Sequence, residues 1–153
     1  MDHLIDVPSG LNGVAVTTTS IGDVRGDEGY YHYREFDATE LARTAGVEDV
    51  WYLLERGHLP EPAERERFRA ALASLRAVPA TLRPVIDAVA STGAAPLAQL
   101  RAVLSVAADA LGLASLLDIQ PAERLDQARR LAAVVPAVLG DLYRRGQGLE
   151  WVA

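Results

Sequence analysis

The chain has 153 residues, half of them hydrophobic and 24% charged, a balance that suits one packed domain and excludes a disordered chain. All 15 basic residues are arginine and stand against 21 acidic ones, so the net charge of −6 argues against a phosphate-backbone partner. There is no cysteine, which removes disulfides, thiolate metal sites and cysteine nucleophiles together, and no apolar run reaches membrane-spanning length. The opening Met1-Asp2-His3-Leu4-Ile5-Asp6 lacks a basic stretch followed by a long apolar one, so the expectation is a cytoplasmic protein.

Residues 13–21 are rich in valine and threonine, Tyr30-Tyr31-His32-Tyr33 is aromatic, and Gly26-Asp27-Glu28-Gly29 lies between them. That pattern predicts two strands around a turn, a hairpin that must lean on the helices behind it. From Asp37 the period lengthens to about 3.6, and Asp37 with Glu40 has the form of a capping box opening a short helix that Gly46 ends. Val47, Val50, Trp51 and Leu54 then make the apolar stripe of a second helix stopped at Gly57. Pro62 suits the first position of a third, with Phe68, Ala71, Leu72 and Leu75 inward. Pro79 breaks it, Thr81 is placed to cap a fourth, and Leu82, Val85, Ile86 and Val89 supply that helix's buried face.

The segment from Pro96 differs, because Leu97, Leu100, Leu104 and Leu111 mark one side and Val103, Val106, Ala110 and Leu113 another. A helix apolar on two sides needs cover on both, which predicts an oligomer contact along Leu97, Leu100, Arg101, Leu104 and Leu111. A last long helix opens near Pro121 with Leu125, Ala128, Ala132, Val135, Leu139 and Leu142 as its stripe. Pro136 within it removes the bond to the Ala132 carbonyl, a loss of about 3 kcal/mol in a plain helix that predicts a kink. Gly146-Gln147-Gly148 ends it. The expected fold is mainly α, a helical bundle of about six helices with a small N-terminal β-hairpin. It forms a single domain over residues 1–153, with the hairpin segment in 1–35 and the helical part in 36–153.

Chemistry is sparse. No Gly-x-Ser-x-Gly or Ser-x-x-Lys motif occurs, and Gly10-Leu11-Asn12-Gly13 is a turn rather than a phosphate loop because it has no lysine. His3, His32 and His58 have no spacing that sets two metal ligands on one helix face, and His58 before Leu59-Pro60 is better suited to a loop carbonyl. Glu64 and Glu66 alternate with Arg65 and Arg67 as on a solvated face, as do Arg129-Arg130 and Arg144-Arg145 among nearby acids. The residues thus supply no catalytic, cofactor-binding or metal site.

Gly10-Leu11-Asn12-Gly13-Val14, then Thr19-Ser20-Ile21, then Tyr33-Arg34-Glu35-Phe36-Asp37 with Glu40-Leu41-Ala42, resembles the opening of citrate and 2-methylcitrate synthases in order and spacing. The match continues through Val50-Trp51-Tyr52-Leu53-Leu54-Glu55-Arg56-Gly57-His58-Leu59-Pro60, its most specific stretch. It extends to Pro96–Leu111 with Arg101, to Arg130-Leu131-Ala132 with Pro136, and to Tyr143-Arg144 with Gly148-Leu149-Glu150. Glu35 stands where the family commonly has glycine, and Ala95-Pro96-Leu97 replaces its His-Pro-Met.

The resemblance implies the N-terminal part of the family's large helical domain, about the first two-fifths of a typical member. It also implies that the Pro96 helix packs across a subunit interface. In the family an aspartate deprotonates acetyl-CoA, one histidine stabilises the enol, a second polarises oxaloacetate and arginines hold its carboxylates, all beyond the matched part. Ala153 follows a finished helix, and the expectation is one piece of a split acyltransferase whose catalytic residues come from a second chain. Acetyl-CoA would be substrate of the completed enzyme, with no cofactor bound by this chain alone. The alternative is a non-catalytic interaction or regulatory subunit of the same descent, associating with itself or with a complete homologue.

Overall fold

Proline, glycine and short polar caps set the helix ends in the computed structural model, which describes residues 7–15 and 17–151. Six α-helices and a three-stranded antiparallel sheet are present among them. The chain divides into two compact units, one ending at Arg65 and the other beginning at Glu66.

In the first unit the sheet runs β1 (Gly22–Arg25), β2 (Tyr30–Tyr33), β3 (Phe36–Asp37), with Gly22 opposite Tyr33 and Arg25 opposite Tyr30. The turn at Gly26–Gly29 falls where expected, but the first strand does not: the described residues of 13–21 carry no strand, and pairing begins at Gly22. A Cβ at residue 22 would lie 2.2 Å from the His32 carbonyl oxygen, so only glycine lets the strands meet where the pairing starts. The third strand was not anticipated; it pairs Phe36 with Tyr33 across the two-residue turn Arg34-Glu35.

Helix α1 (Ala38–Thr44) opens on Asp37, whose carboxylate accepts from the N–H groups of Thr39 and Glu40, as the capping pattern predicts. Helix α2 (Val47–Arg56) stops where Gly57 turns left-handed at φ 86°. Its buried face is not the expected stripe. Tyr52, Leu53 and Asp49 are buried, whereas Val47 is 80% exposed. Asp49 can take an inward position because its oxygens accept from the Gly46 N–H at 3.3 Å and from Arg65 Nε at 2.8 Å. A paired carboxylate thus occupies a place that hydrophobic counting reserves for valine.

Helix α3 (Pro62–Leu75) starts on its proline and buries Phe68 and Leu72 while Ala71 stays exposed. Thr81 caps nothing: it lies inside a 3-10 turn, Ala80–Leu82, that leads directly into α4 (Arg83–Ala90). Helices α5 (Pro96–Ala110) and α6 (Pro121–Gly146) complete the second unit, and α6 runs on both sides of Pro136. Its core consists of Leu82, Ile86 and Ala90 from the α4 side, Val103 and Ala107 from α5, and Val134, Val138 and Leu142 from α6.

The α6 stripe therefore differs from the expected one. Leu125, Ala128, Ala132 and Leu139 are exposed, while Gln127, Ala133, Val134 and Val138 are buried. The sequence around Pro136 is alanine and valine on nearly every side, so periodicity gives little contrast and the neighbours α4 and α5 choose the face. Among the described residues no helix is long and apolar enough to cross a membrane.

Val138→Ala removes two methyl groups from a fully buried position and should cost roughly 2 kcal/mol. Leu139→Ala deletes a larger side chain that is 39% exposed and should cost under about 1 kcal/mol. Urea unfolding of the two variants checks this order, and the reverse order would reject the α6 face described above.

Candidate functional site

Helix α5 is set by its inward residues. Val103 and Ala107 have no exposed surface and fix the helix against α4 and α6. Its start is secured by Pro96 at the first position and by Gln99 Nε2, which donates to the Ala94 carbonyl at 2.9 Å. With that side spent on the core, Leu97, Leu100, Arg101, Leu104 and Ser105 line an open groove of about 430 Å³. Leu97 is 73% exposed, Leu100 and Leu104 are half-buried against the edge of the core, and the Arg101 guanidinium lies at the surface. Four of the five predicted contact residues therefore share one face. Leu111 does not join them: it is the C-cap of α5 and packs against the core.

Two further surfaces escaped sequence reasoning. In the first unit, Val47, Val50, Trp51 and Leu54 with Tyr31 and Tyr33 border an open apolar groove of about 570 Å³. The apolar stripe expected on α2 therefore borders this groove. In the second unit, Arg83, Asp141, Arg144 and Trp151 come together around a cavity of about 460 Å³ although 68 residues separate Arg83 from Trp151 in number. No local motif announces such a cluster.

The histidines are engaged in structure. His32 Nδ1 faces the Arg34 carbonyl, and His58 Nδ1 lies 3.0 Å from the Leu59 carbonyl with its ring edge-on to Tyr52. His58 thus does what its place before Leu59-Pro60 suggests. His3 lies outside the described residues. Among the described residues no three of His, Asp and Glu gather as they would around a metal.

The Tyr33–Asp37 motif is architectural. Arg34 holds a positive φ of 54° in the turn, and its Nη2 donates to the Leu54 carbonyl at 2.7 Å while Nη1 donates to the Ser20 Oγ at 3.0 Å. One side chain thus ties the sheet to α2 and to the segment before β1. Asp37 is held below the usual carboxylate range by the Thr39 hydroxyl first, then by the Glu40 N–H. Asp141 is shifted the other way, raised by burial against the opposing pull of Arg83 and Arg144.

Six helices, a three-stranded antiparallel sheet and an outward apolar face on α5, among the described residues, define the class as a mainly helical fold. Residues 10–152 match the family model described as citrate synthase, C-terminal domain, and the chain belongs to the citrate synthase family. It is 32% identical over 148 residues to a citrate synthase of Haloferax volcanii, covering 96% of this chain and 39% of that one. It is 29% identical over its full length to a 2-methylcitrate synthase of Mycobacterium tuberculosis, of which it covers 38%. The crystal structure of citrate synthase from Thermotoga maritima superposes with a TM-score of 0.71 at 28% identity, covering 95% of this chain and 36% of that one. The chain thus spans under two-fifths of the length of the relatives it matches.

Arg34→Ala removes charge-assisted hydrogen bonds to part-buried acceptors and should cost about 2 kcal/mol by urea unfolding. A change within about 0.5 kcal/mol would show that the clamp is dispensable. For Asp37 the sign follows from its lowered value. Its contribution is fully present above the ordinary aspartate range and is lost as pH falls through the depressed folded value. Asp37→Ala should therefore lower the melting temperature at pH 7 and leave the wild-type and variant midpoints converging only as pH falls below the ordinary aspartate range. A constant difference across that range would contradict the cap's ionised role.

Proposed function

We propose that this chain is the N-terminal helical portion of a citrate synthase-type acyltransferase of the cytoplasm, working with a second polypeptide that carries the catalytic groups. The reaction is the Claisen condensation of acetyl-CoA, or a related acyl-CoA, with oxaloacetate. Placement at the front of the family's helical domain rests on the order of the motifs from Gly10-Leu11-Asn12-Gly13 to Tyr143-Arg144.

The observation that carries the reading is the outward face of α5, where 73%-exposed Leu97 stands with Leu100, Arg101 and Leu104 on a groove that nothing in its own unit fills. An apolar helix face of this kind is what a packed interface requires. The condensation also needs a base and an oxyanion stabiliser in mutual reach. His32 and His58 each turn Nδ1 toward a backbone carbonyl, and in this reading the base and the oxyanion stabiliser come from the second polypeptide. A non-catalytic interaction subunit is favoured by the same α5 face, and the two readings separate on activity.

The test is to mix the chain with a polypeptide carrying the family's catalytic histidines and aspartate and to follow free CoA from acetyl-CoA and oxaloacetate. Turnover by the mixture, with none from either piece, is expected. A complex without CoA release points to the interaction subunit, and no complex at all removes the split-enzyme reading. Leu104→Glu should shift the elution volume of the assembly toward that of the separate chains, and an unaltered volume would argue against α5 as the contact.

A further inference from the structure

The cavity that Arg83, Arg144 and Trp151 border has a construction that neither the core nor the α5 interface explains. On α6 it is lined by Ala137, Gly140, Asp141 and Arg144, spaced i, i+3, i+4 and i+7, so one continuous stripe of the helix forms its wall. Arg76 and Val78 close it from the segment after α3, and Arg83 from the first turn of α4. Three arginines therefore meet a single aspartate inside a protein whose net charge is −6.

The arginines are also held in position. Arg83 lies 5.1 Å and Arg145 5.4 Å from the centre of the Trp151 ring, and Arg145 is itself paired with Asp87. Arg144 donates through Nε at 3.1 Å and Nη2 at 2.8 Å to the Glu150 carbonyl, which leaves its Nη1 for another acceptor. The Arg83 guanidinium makes no hydrogen bond to the described residues, its backbone N–H being given to the Ala80 carbonyl. The guanidinium is oriented by the indole face and retains its donors.

Gly140 is the second and independent sign. Glycine inside a helix is less favourable than any residue except proline, yet a Cβ at 140 would meet nothing within 4 Å. Packing within the unit does not demand glycine here. Its missing side chain keeps the middle of the wall open, beside the guanidinium groups.

We propose that this cavity binds a compact oxyanion of two or more negative charges, a phosphate or carboxylate compound, with the Arg83 and Arg144 guanidinium groups as its donors. Planar guanidinium forks suit both oxyanion types, and Asp141 is the one group in the wall that opposes the ligand. The site is separate from the α5 groove, so it stands or falls independently of the split-enzyme reading.

Isothermal titration calorimetry of this chain with sodium pyrophosphate and, separately, with sodium succinate tests it, since the two probes distinguish a phosphate from a carboxylate ligand. Saturable binding of either one, weakened by added sodium chloride, is expected. Arg83→Gln should weaken it at least tenfold, and Asp141→Asn should tighten it. Gly140→Leu should abolish it while leaving the thermal midpoint unchanged or higher, because leucine is the better helix former and the space it enters is empty. Three results would overturn the proposal: no saturable binding of either probe, binding that Gly140→Leu leaves unchanged, or binding that Arg83→Gln leaves unchanged. In the first of these cases, a Gly140→Leu change in elution volume would mark the cavity as a protein contact instead.

Discussion

The second unit depends on the seating of Val103 and Ala107 against Val134, Val138 and Leu142. All five are buried, and α5 and α6 can approach closely because valine and alanine are short. This one contact fixes the rotation of both helices about their axes. For α5 it sends Leu97 and Arg101 outward. For α6 it turns Ala137, Gly140, Asp141 and Arg144 toward the arginine-lined cavity and leaves Leu139 and Tyr143 on another side, at the surface. The outward features of the unit are thus consequences of how its inner face is filled.

The same dependence explains what could be read from sequence. Helix ends are set by local backbone chemistry: Asp37 accepting from Thr39 and Glu40, Gly57 at positive φ, and Pro62, Pro96 and Pro121 at first positions. Those signals act within four residues, and the observed boundaries follow them. Which face a helix buries is a property of its neighbours. In α2 the pair Asp49–Arg65 takes an inward place that the valine stripe seemed to own, and in α6 a run of alanine and valine offers several nearly equivalent faces. The first strand is displaced as well: the valines and threonines of 13–21 have strand propensity, but a strand also needs a partner, and β2 pairs with Gly22–Arg25.

For the candidate site, the shared outward face of Leu97, Leu100, Arg101 and Leu104 was legible because two apolar stripes on one helix cannot both face one core. Leu111 was carried along by the heptad-like spacing, yet it sits past the last helical turn, where the chain bends back and packs it inward. The Arg83–Asp141–Arg144–Trp151 cluster was not legible. It joins the start of α4, the last turns of α6 and the segment after α6, and only the packing of α4 on α6 makes these neighbours.

Arginine is the only cation in this chain, and its placements divide into two kinds. Arg43 with Glu40 and Arg25 with Glu28 are exposed pairs of the sort that contributes little stability. Arg34, Arg65 and Arg145 instead join segments distant in sequence: Arg34 binds the Leu54 carbonyl, Arg65 the buried Asp49, and Arg145 both Asp87 and the Trp151 face. His32 and His58 likewise turn Nδ1 toward the carbonyls of Arg34 and Leu59, which follow them. Polar side chains among the described residues thus serve to join and orient the elements of the fold, and the outward surfaces of the second unit are what its packing leaves over.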